Sequence, residues 1–308
     1  MSRAATLPPD LPSPALRRGP PAPGLVLELF KPLTWFAPVW AFGCGLVSAG
    51  LPRTPLAVLV ALAGAVLAGP LVCATSQAVN DWFDRHVDAI NEPARPIPSG
   101  RIPGRWGLWL ALLWTGVSLG WALLLGRFML LAASAGLLLA WAYSAPPLRL
   151  KRNGWIGNLA VGACYEGLPW IAGAGLLDGG HVPRPVLLLA ALYSLGAHGI
   201  MTLNDFKSLA GDRASGVRSL PVLLGPDRAA RLACLAMLGP QLAALALLLA
   251  WHAPVHAAVL AALVAGQLAL MPRLLRDPRR AAPWYNATGT SLYVLGMLCC
   301  ALVLGGLA

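Results

Sequence analysis

Charge is scarce in this chain. Charged side chains make up 11% of its 308 residues, against about a quarter in soluble domains, and that excludes a soluble enzyme built around one core. Acidic residues are scarcer still, twelve against 23 Lys and Arg. The basic residues never form a block. They stand singly between apolar runs, which excludes a nucleic-acid tract and leaves an anionic leaflet and an anionic substrate to account for the net charge of +11. There is no CxxC pair and no histidine cluster. The six cysteines (Cys44, Cys73, Cys164, Cys234, Cys299, Cys300) all lie within or at the edge of apolar runs, as small apolar filler does. The first 23 residues hold seven prolines and lack the apolar core of a signal peptide. Residues 1–30 are therefore expected to form a disordered cytoplasmic tail with a short interfacial stretch, Leu25 to Phe30, and residues 31–308 a single domain.

What is abundant is apolar surface, 57% of the chain. Runs of roughly 20 residues, the length that crosses a bilayer, fall at Leu33–Gly50, Pro55–Asn80, Trp106–Leu125, Phe128–Ala145, Trp155–Leu177, Pro185–Leu203, Ala229–Leu249, Pro254–Met271 and Ala287–Leu307. The expectation is an all-α integral membrane protein with nine transmembrane helices. Placing the tail and every second loop in the cytoplasm puts 20 of the 23 Lys and Arg on that side, leaving only Arg53, Arg127 and Arg184 opposite. That is the asymmetry expected of a real topology. Gly126 and Arg127 alone separate the third and fourth runs, which predicts a tight helical hairpin.

Half of the twelve acids lie in two places. In NDWFDRHVDAINEPARPIPSGR, Asp81, Asp84, Asp88 and Glu92 follow at steps of three, four and four, so a continuing helix gathers them on one face. Like charges crowded there cost free energy that a bound cation would remove. A second stretch repeats the arrangement 124 residues later: Asn204 and Asp205 answer Asn80 and Asp81, Asp212 answers Asp88, and only Ser208 fails to match Asp84.

Carboxylates at a membrane surface either pass cations or hold a divalent metal against an anionic ligand. A cation pathway calls for acids at mid-span, whereas these end their helices amid basic residues. Mg²⁺ is usually held by one or two carboxylates plus substrate phosphates, and Arg and Lys clamp phosphate oxygens directly. Asp81, Asp84, Asp88, Asp205 and Asp212, with Asn80, Arg95, Lys151, Arg152, Asn204, Lys207 and Arg213, thus read as a diphosphate site. Opening into an apolar bundle, it suits a lipid-tailed diphosphate, whose departing group needs metal and basic residues while apolar helices keep water from the allylic cation. Two intramembrane residues are further candidates for substrate binding. Glu166 is expensive to bury unpaired, and His198, seven residues before Asp205, lies on nearly the same face, although a packed hydrogen-bonding role is the commoner fate of a lone histidine. Gln77 has weaker support for reaching the diphosphate.

The NDxxDxxxD pattern of Asn80–Asp88, the run EPARPIPSGRIPGRWG from Glu92, YSAPPLRLKRNGW from Tyr143 and NDFKSLAGDRASGVRSLP from Asn204 resemble the UbiA superfamily of intramembrane prenyltransferases. The resemblance spans about Lys31 to Gly225 and continues more weakly to the end. It implies a nine-helix UbiA-type bundle in the bacterial inner, photosynthetic membrane, with the acidic motifs on the cytoplasmic side. It also implies Mg²⁺ bridging both motifs to geranylgeranyl or phytyl diphosphate, and esterification of the bacteriochlorophyllide propionate. Relatives tend to carry an acid where this chain has Ala210, so metal ligation in the second motif is expected to rest on Asp205 and Asp212. Two rivals remain: a prenyltransferase of an aromatic ring, and a nine-span transporter, which the half-repeat would suit.

Overall fold

The computed structural model describes residues 19–307, and the expected tail therefore lies mostly outside the described residues. Its helices are α1 (Pro23–Phe30), α2 (Phe36–Ser48), α3 (Pro55–Val66), α4 (Ala74–Asn91), α5 (Trp106–Leu124), α6 (Arg127–Ser144) and α7 (Gly154–Gly162). There follow α8 (Leu168–Gly175), α9 (Arg184–Asn204), α10 (Leu209–Ser215), α11 (Leu220–Leu224), α12 (Pro226–Ala250), α13 (Pro254–Arg276) and α14 (Pro278–Leu307). All nine apolar runs fall on helices. Large apolar side chains such as Leu59, Leu124, Leu138 and Leu235 remain exposed along their outer faces, as lipid-facing surface should.

Among the described residues, seven helices are long and apolar enough to cross a membrane, or eight if α1 and the segment Pro32–Ser48, bent by 44°, count as one span. Nine is thus more than length and composition support. The first expected run yields only the 13-residue α2 behind a 3₁₀ turn, Pro32–Trp35. The fifth falls on α7 and α8, which a π-helical turn, Ala163–Gly167, joins, and the 22 residues from Gly154 to Gly175 include six glycines, Asn158 and Glu166. A second π turn, Leu67–Cys73, joins α3 to α4 and contains Pro70. Proline has no N–H to give to the helical ladder, which fits the wider turn there.

Helix α9 packs on α12, α7 and α14; α2 packs on α8; α13 lies along α14; and α4 sits between α5 and α6. The largest buried cluster, with Trp170, Tyr193, Met237 and Tyr293, fills the space between α2, α8, α9, α12, α13 and α14. A smaller cluster seats Leu29 and Phe30 of α1 against Ala74, Ala78 and Val79 of α4, so α1 is docked on the helix that carries the first acidic motif. The expected hairpin between α5 and α6 turns at Gly126 with φ +110°, a value that side-chain-bearing residues rarely adopt.

One backbone contact organises the charged end of the bundle. Gly154 N–H donates to Arg218 O at 2.9 Å and Arg218 N–H donates to Arg152 O at 3.0 Å, tying the loop before α7 to the loop before α11. A Cβ on Gly154 would lie 2.8 Å from Leu220 N and 2.9 Å from Arg218 O. Only glycine allows this approach, and it brings the Lys151 loop to the second acidic motif.

Candidate active site

Helix α4 continues through the first acidic motif as the spacing predicts, ending at Asn91. Its charged face is braced by basic residues from elsewhere. Arg95 folds back along the helix end, donating to Asp88 at 2.7 Å, to both Glu92 oxygens at 2.7 and 2.6 Å, and more distantly to Asp81 at 3.4 Å. Burial alone would lower the Arg95 pKa, but Asp81, Glu92 and Asp88 outweigh it and hold the guanidinium above its ordinary value. Asp84 accepts from Lys151, from Arg149 at 3.4 Å and from Asn80 Nδ2 at 3.1 Å. Burial pulls the Lys151 ammonium below its ordinary pKa, against the opposing pull of Asp84.

Asp81 differs from its neighbours. It is fully buried and lies behind the cavity wall, with Lys31 Nζ 2.6 Å from Oδ1 and Oδ2 without any partner. Lys31 reaches it because its backbone is left-handed, φ 48°, where α1 gives way to the 3₁₀ turn.

The second motif is less regular than the first. Helix α9 stops at Asn204, a 3₁₀ turn covers Asp205–Ser208, and α10 carries Asp212. Asp205 accepts from Asn158 Nδ2 of α7 at 3.3 Å. Helix α10 packs on α4, so the two motifs face one another.

Between them opens a cavity of about 780 Å³. Its mouth is lined by Asn80, Asp84, Asp88, Arg95, Lys151, Asn204, Asp205, Lys207 and Asp212, all of them singled out in the sequence. Its deeper wall is apolar: Ala68, Val72, Leu139, Ala140, Ala160 and Val161. Four other expected residues lie off it. Arg152 and Arg213 are exposed on the surface. Glu166 is buried in its π turn, with Oε2 unpartnered. His198 lies against Trp155, ring centroids 5.6 Å apart and planes tilted by 34°, outside the cavity lining. Gln77 does line the cavity, donating to the Tyr165 hydroxyl at 2.7 Å. Lys31, Arg149, Tyr143 and Asn158 also line it. Sequence reasoning passed over them: Lys31 and Arg149 count there only as cytoplasmic charges, and Tyr143 and Asn158 give no signal beyond lying in or near a quoted motif.

Among the described residues no three His, Cys, Asp or Glu side chains converge into a ready-made metal cage. The donor set fits another mode of binding. Asp84 and Asp88 on one side and Asp205 and Asp212 on the other offer one or two carboxylates each, and Mg²⁺ with such ligands completes its shell with water and phosphate oxygens. Asp81 Oδ1 is taken by Lys31, but its buried Oδ2 has no partner, which leaves one carboxylate oxygen with spare acceptor capacity beside the site. The arrangement suits a divalent cation that arrives with a diphosphate, with basic side chains at hand for the remaining phosphate charge.

The UbiA prenyltransferase family matches residues 36–305 of this chain. The chain is 55% identical over 293 residues to the bacteriochlorophyll synthase 33 kDa chain of Cereibacter sphaeroides, covering 94% of this chain and 96% of that one. It is 40% identical over 285 residues to the chloroplastic chlorophyll synthase of Arabidopsis thaliana, covering 90% and 73% respectively. Among solved structures, a UbiA homolog from Archaeoglobus fulgidus bound to GPP and Mg²⁺ superposes with a TM-score of 0.67 at 20% identity, over 87% of this chain and 99% of that one.

Proposed function

The chain belongs to the UbiA prenyltransferase family, and from that premise we propose that it esterifies the propionate of bacteriochlorophyllide with geranylgeranyl or phytyl diphosphate, releasing pyrophosphate. The observation that carries this reading is the single cavity whose mouth is charged by both acidic motifs and whose depth is apolar. A diphosphate head and an isoprenoid tail match those two halves. The 55% identity along nearly the whole length of a bacteriochlorophyll synthase chain supports the tetrapyrrole acceptor over an aromatic ring, and a transporter would have no use for a diphosphate clamp.

In this reading Asp84 and Asp88 from one motif and Asp205 and Asp212 from the other, with Asp81 beside them, would hold Mg²⁺, which when bound would supply charge stabilisation for the departing diphosphate. Arg95, Lys151 and Lys207 bind phosphate oxygens from the rim, joined by Lys31 and Arg149 as the diphosphate competes for the ammonium and guanidinium groups now engaged by aspartates. Asn80 orients Asp84 through its Nδ2, and Asn204 lines the mouth where the diphosphate would sit. The bond between the allylic carbon and the diphosphate oxygen breaks, and its electron pair leaves with the diphosphate. A propionate oxygen donates the pair that forms the new ester bond. With a pKa near that of Glu, about 4.3, the propionate is already ionised at neutral pH and needs no base. The apolar wall keeps water from capturing the allylic carbon.

The protein is proposed to cross the bacterial inner, photosynthetic membrane nine times, counting the bent first segment and the π-interrupted α7–α8 run as spans, with both motifs cytoplasmic. The deciding experiment incubates the purified protein in bilayers with Mg²⁺, geranylgeranyl diphosphate and a panel of acceptors, identifying products by mass. A prenyl ester of bacteriochlorophyllide with equimolar pyrophosphate is expected. Prenylation of 4-hydroxybenzoate, with both chlorophyllides ignored, would overturn the acceptor assignment.

A further inference from the structure

The basic residues of this chain are of two kinds. Lys31, Arg95, Arg101, Arg149 and Lys151 all hold carboxylates, and all stand at or beside the mouth of the cavity. Among the described residues, the four arginines around the turn from α13 to α14 hold none. Arg273, Arg276, Arg279 and Arg280 fall within eight residues, and every one of them is exposed. The acid in their midst, Asp277, is turned the other way: its Oδ1 accepts from the backbone N–H of Arg280 at 3.4 Å, capping the first turn of α14. Four cations against one acid leave three positive charges in excess.

This turn lies at the charged end of the bundle. Helix α12 sets out from α11, which packs on the 3₁₀ turn Asp205–Ser208 of the second acidic motif. Helix α13 returns alongside α12, with Gln241 and Gln267 exchanging amide hydrogen bonds at 3.1 and 2.8 Å between the two, and α14 packs in turn on Asp205–Ser208. The four arginines therefore stand at the same end as the motifs, yet none of them lines the cavity.

The local structure says what they are placed to meet. Arg273 Cζ lies 4.0 Å from the centroid of the half-buried Trp284 ring. Tryptophan at the end of a spanning helix sits at headgroup level, so the guanidinium stacked on it is presented at that depth. On α13 the exposed positions Ala265, Leu268, Pro272 and Leu275 recur at steps of three, four and three, a stripe on one helix face. Arg276 follows directly. Any spanning helix carries such a stripe, and it is the unpaired arginines at its end that select what lies along it. A soluble acidic partner would match the arginines and leave the stripe unused, whereas acyl chains that end in a phosphate match both. Basic clusters beside a span attract acidic lipid, and arginine grips phosphate oxygens through a planar fork of donors.

We propose that the α13–α14 turn is a headgroup site for an anionic glycerophospholipid, anchored by Arg273 on Trp284 and completed by Arg276, Arg279 and Arg280, with the acyl chains along Leu268 and Leu275. The site is separate from the cavity and does not depend on which acceptor the cavity serves. For the test, the full chain in non-ionic detergent micelles is titrated with cardiolipin, phosphatidylglycerol or phosphatidylcholine, and bound lipid is counted by native mass spectrometry. Wild type should bind an anionic lipid with a Kd about tenfold or more below that for phosphatidylcholine. Replacing all four arginines by Gln should bring the two within about twofold of each other. Arg276→Gln/Arg279→Gln/Arg280→Gln keeps the contact that fixes Arg273 on α14 and should show a smaller loss in the same direction. Arg105→Gln/Arg152→Gln/Arg213→Gln, a charge-matched change at exposed arginines of other loops, should leave the preference within about twofold of wild type. A flat wild-type profile, or an equal loss in the two triple variants, overturns the site. Displacement of the lipid by millimolar inorganic phosphate or diphosphate at constant ionic strength would overturn the lipid as its occupant.

Discussion

Lys31 and Asp81, fifty residues apart in sequence, meet with Nζ 2.6 Å from Oδ1, and the carboxylate is 1% exposed while the lysine is 26% exposed. The contact makes α1 part of the site. Its Leu29 and Phe30 are buried against α4 and the Phe30 ring lies 4.5 Å from that of Trp114, while Glu28 takes both terminal nitrogens of Arg101 at 2.8 and 2.7 Å across the first acidic loop. A short stretch that reads from sequence as an interfacial strip thus delivers a cation to the most buried acid of the motif.

Removing the lysine head group should leave that acid uncompensated. We expect Lys31→Met to destabilise the protein by about 2 kcal/mol, less than the roughly 3–5 kcal/mol of a fully buried pair, because Arg95 remains 3.4 Å away. The double variant Lys31→Met/Asp81→Asn should recover most of the loss, giving a coupling energy that thermal unfolding in detergent can read. Additive losses would show that the pair is not coupled.

Metal dependence should follow the acidic motifs. Asp→Asn at Asp81, Asp84, Asp88, Asp205 or Asp212 is expected to lower turnover by about a hundredfold or more, the scale of losing one preorganised electrostatic group. EDTA should abolish pyrophosphate release and Mg²⁺ restore it. A wild-type rate for Asp84→Asn, or full activity in EDTA, would count against metal-bridged binding.

None of the five histidines lines the cavity. Since an ionised propionate attacks unaided, single replacements of His86, His181, His198, His252 and His256 by Ala should each retain ester formation, measured by product mass. His198→Ala loses the tilted contact with Trp155, and an altered pigment affinity there would not count against this expectation. Loss of the reaction in any one variant would point to a base that the site as described does not contain.

Topology can be read directly. Nine crossings place the two ends of the chain on opposite faces, the first cytoplasmic. Reporter fusions ahead of Met1 and after Ala308 should give signals from opposite sides. Signals from one side would leave an even number of crossings, and the first segment, bent by 44°, would be the one to re-examine.

The apolar runs were legible because a bilayer imposes one length and one polarity on whatever crosses it, and every run falls on a helix. Helical spacing also exposed the first carboxylate face, since α4 is regular there. What escaped depends on the path of the backbone between helices. Lys31 and Arg149 enter the site through left-handed turns, φ 48° and 38°, which no hydropathy pattern records. Lys151 and Arg152 are neighbours of equal charge, yet one bonds Asp84 and the other points away, a choice made by the 3₁₀ turn Leu150–Arg152. Asn158 supports Asp205 from another helix, a pairing visible only once α7 and α9 are packed together.

The π turn at Leu67–Cys73 sets the angular phase of everything after it on α4. Such a turn accommodates one residue more than a regular helix would, and each residue of an α-helix advances the face by about 100°. Removing a single residue from this segment would leave the composition of the span almost untouched and its hydropathy unchanged. Unless the π turn relaxed to a regular helical turn and so absorbed the loss, Gln77, Asn80, Asp84 and Asp88 would swing together away from the cavity. The acidic motif could be intact in the sequence and still be aimed at nothing, so its function depends on a residue count made a full turn or more before the motif begins.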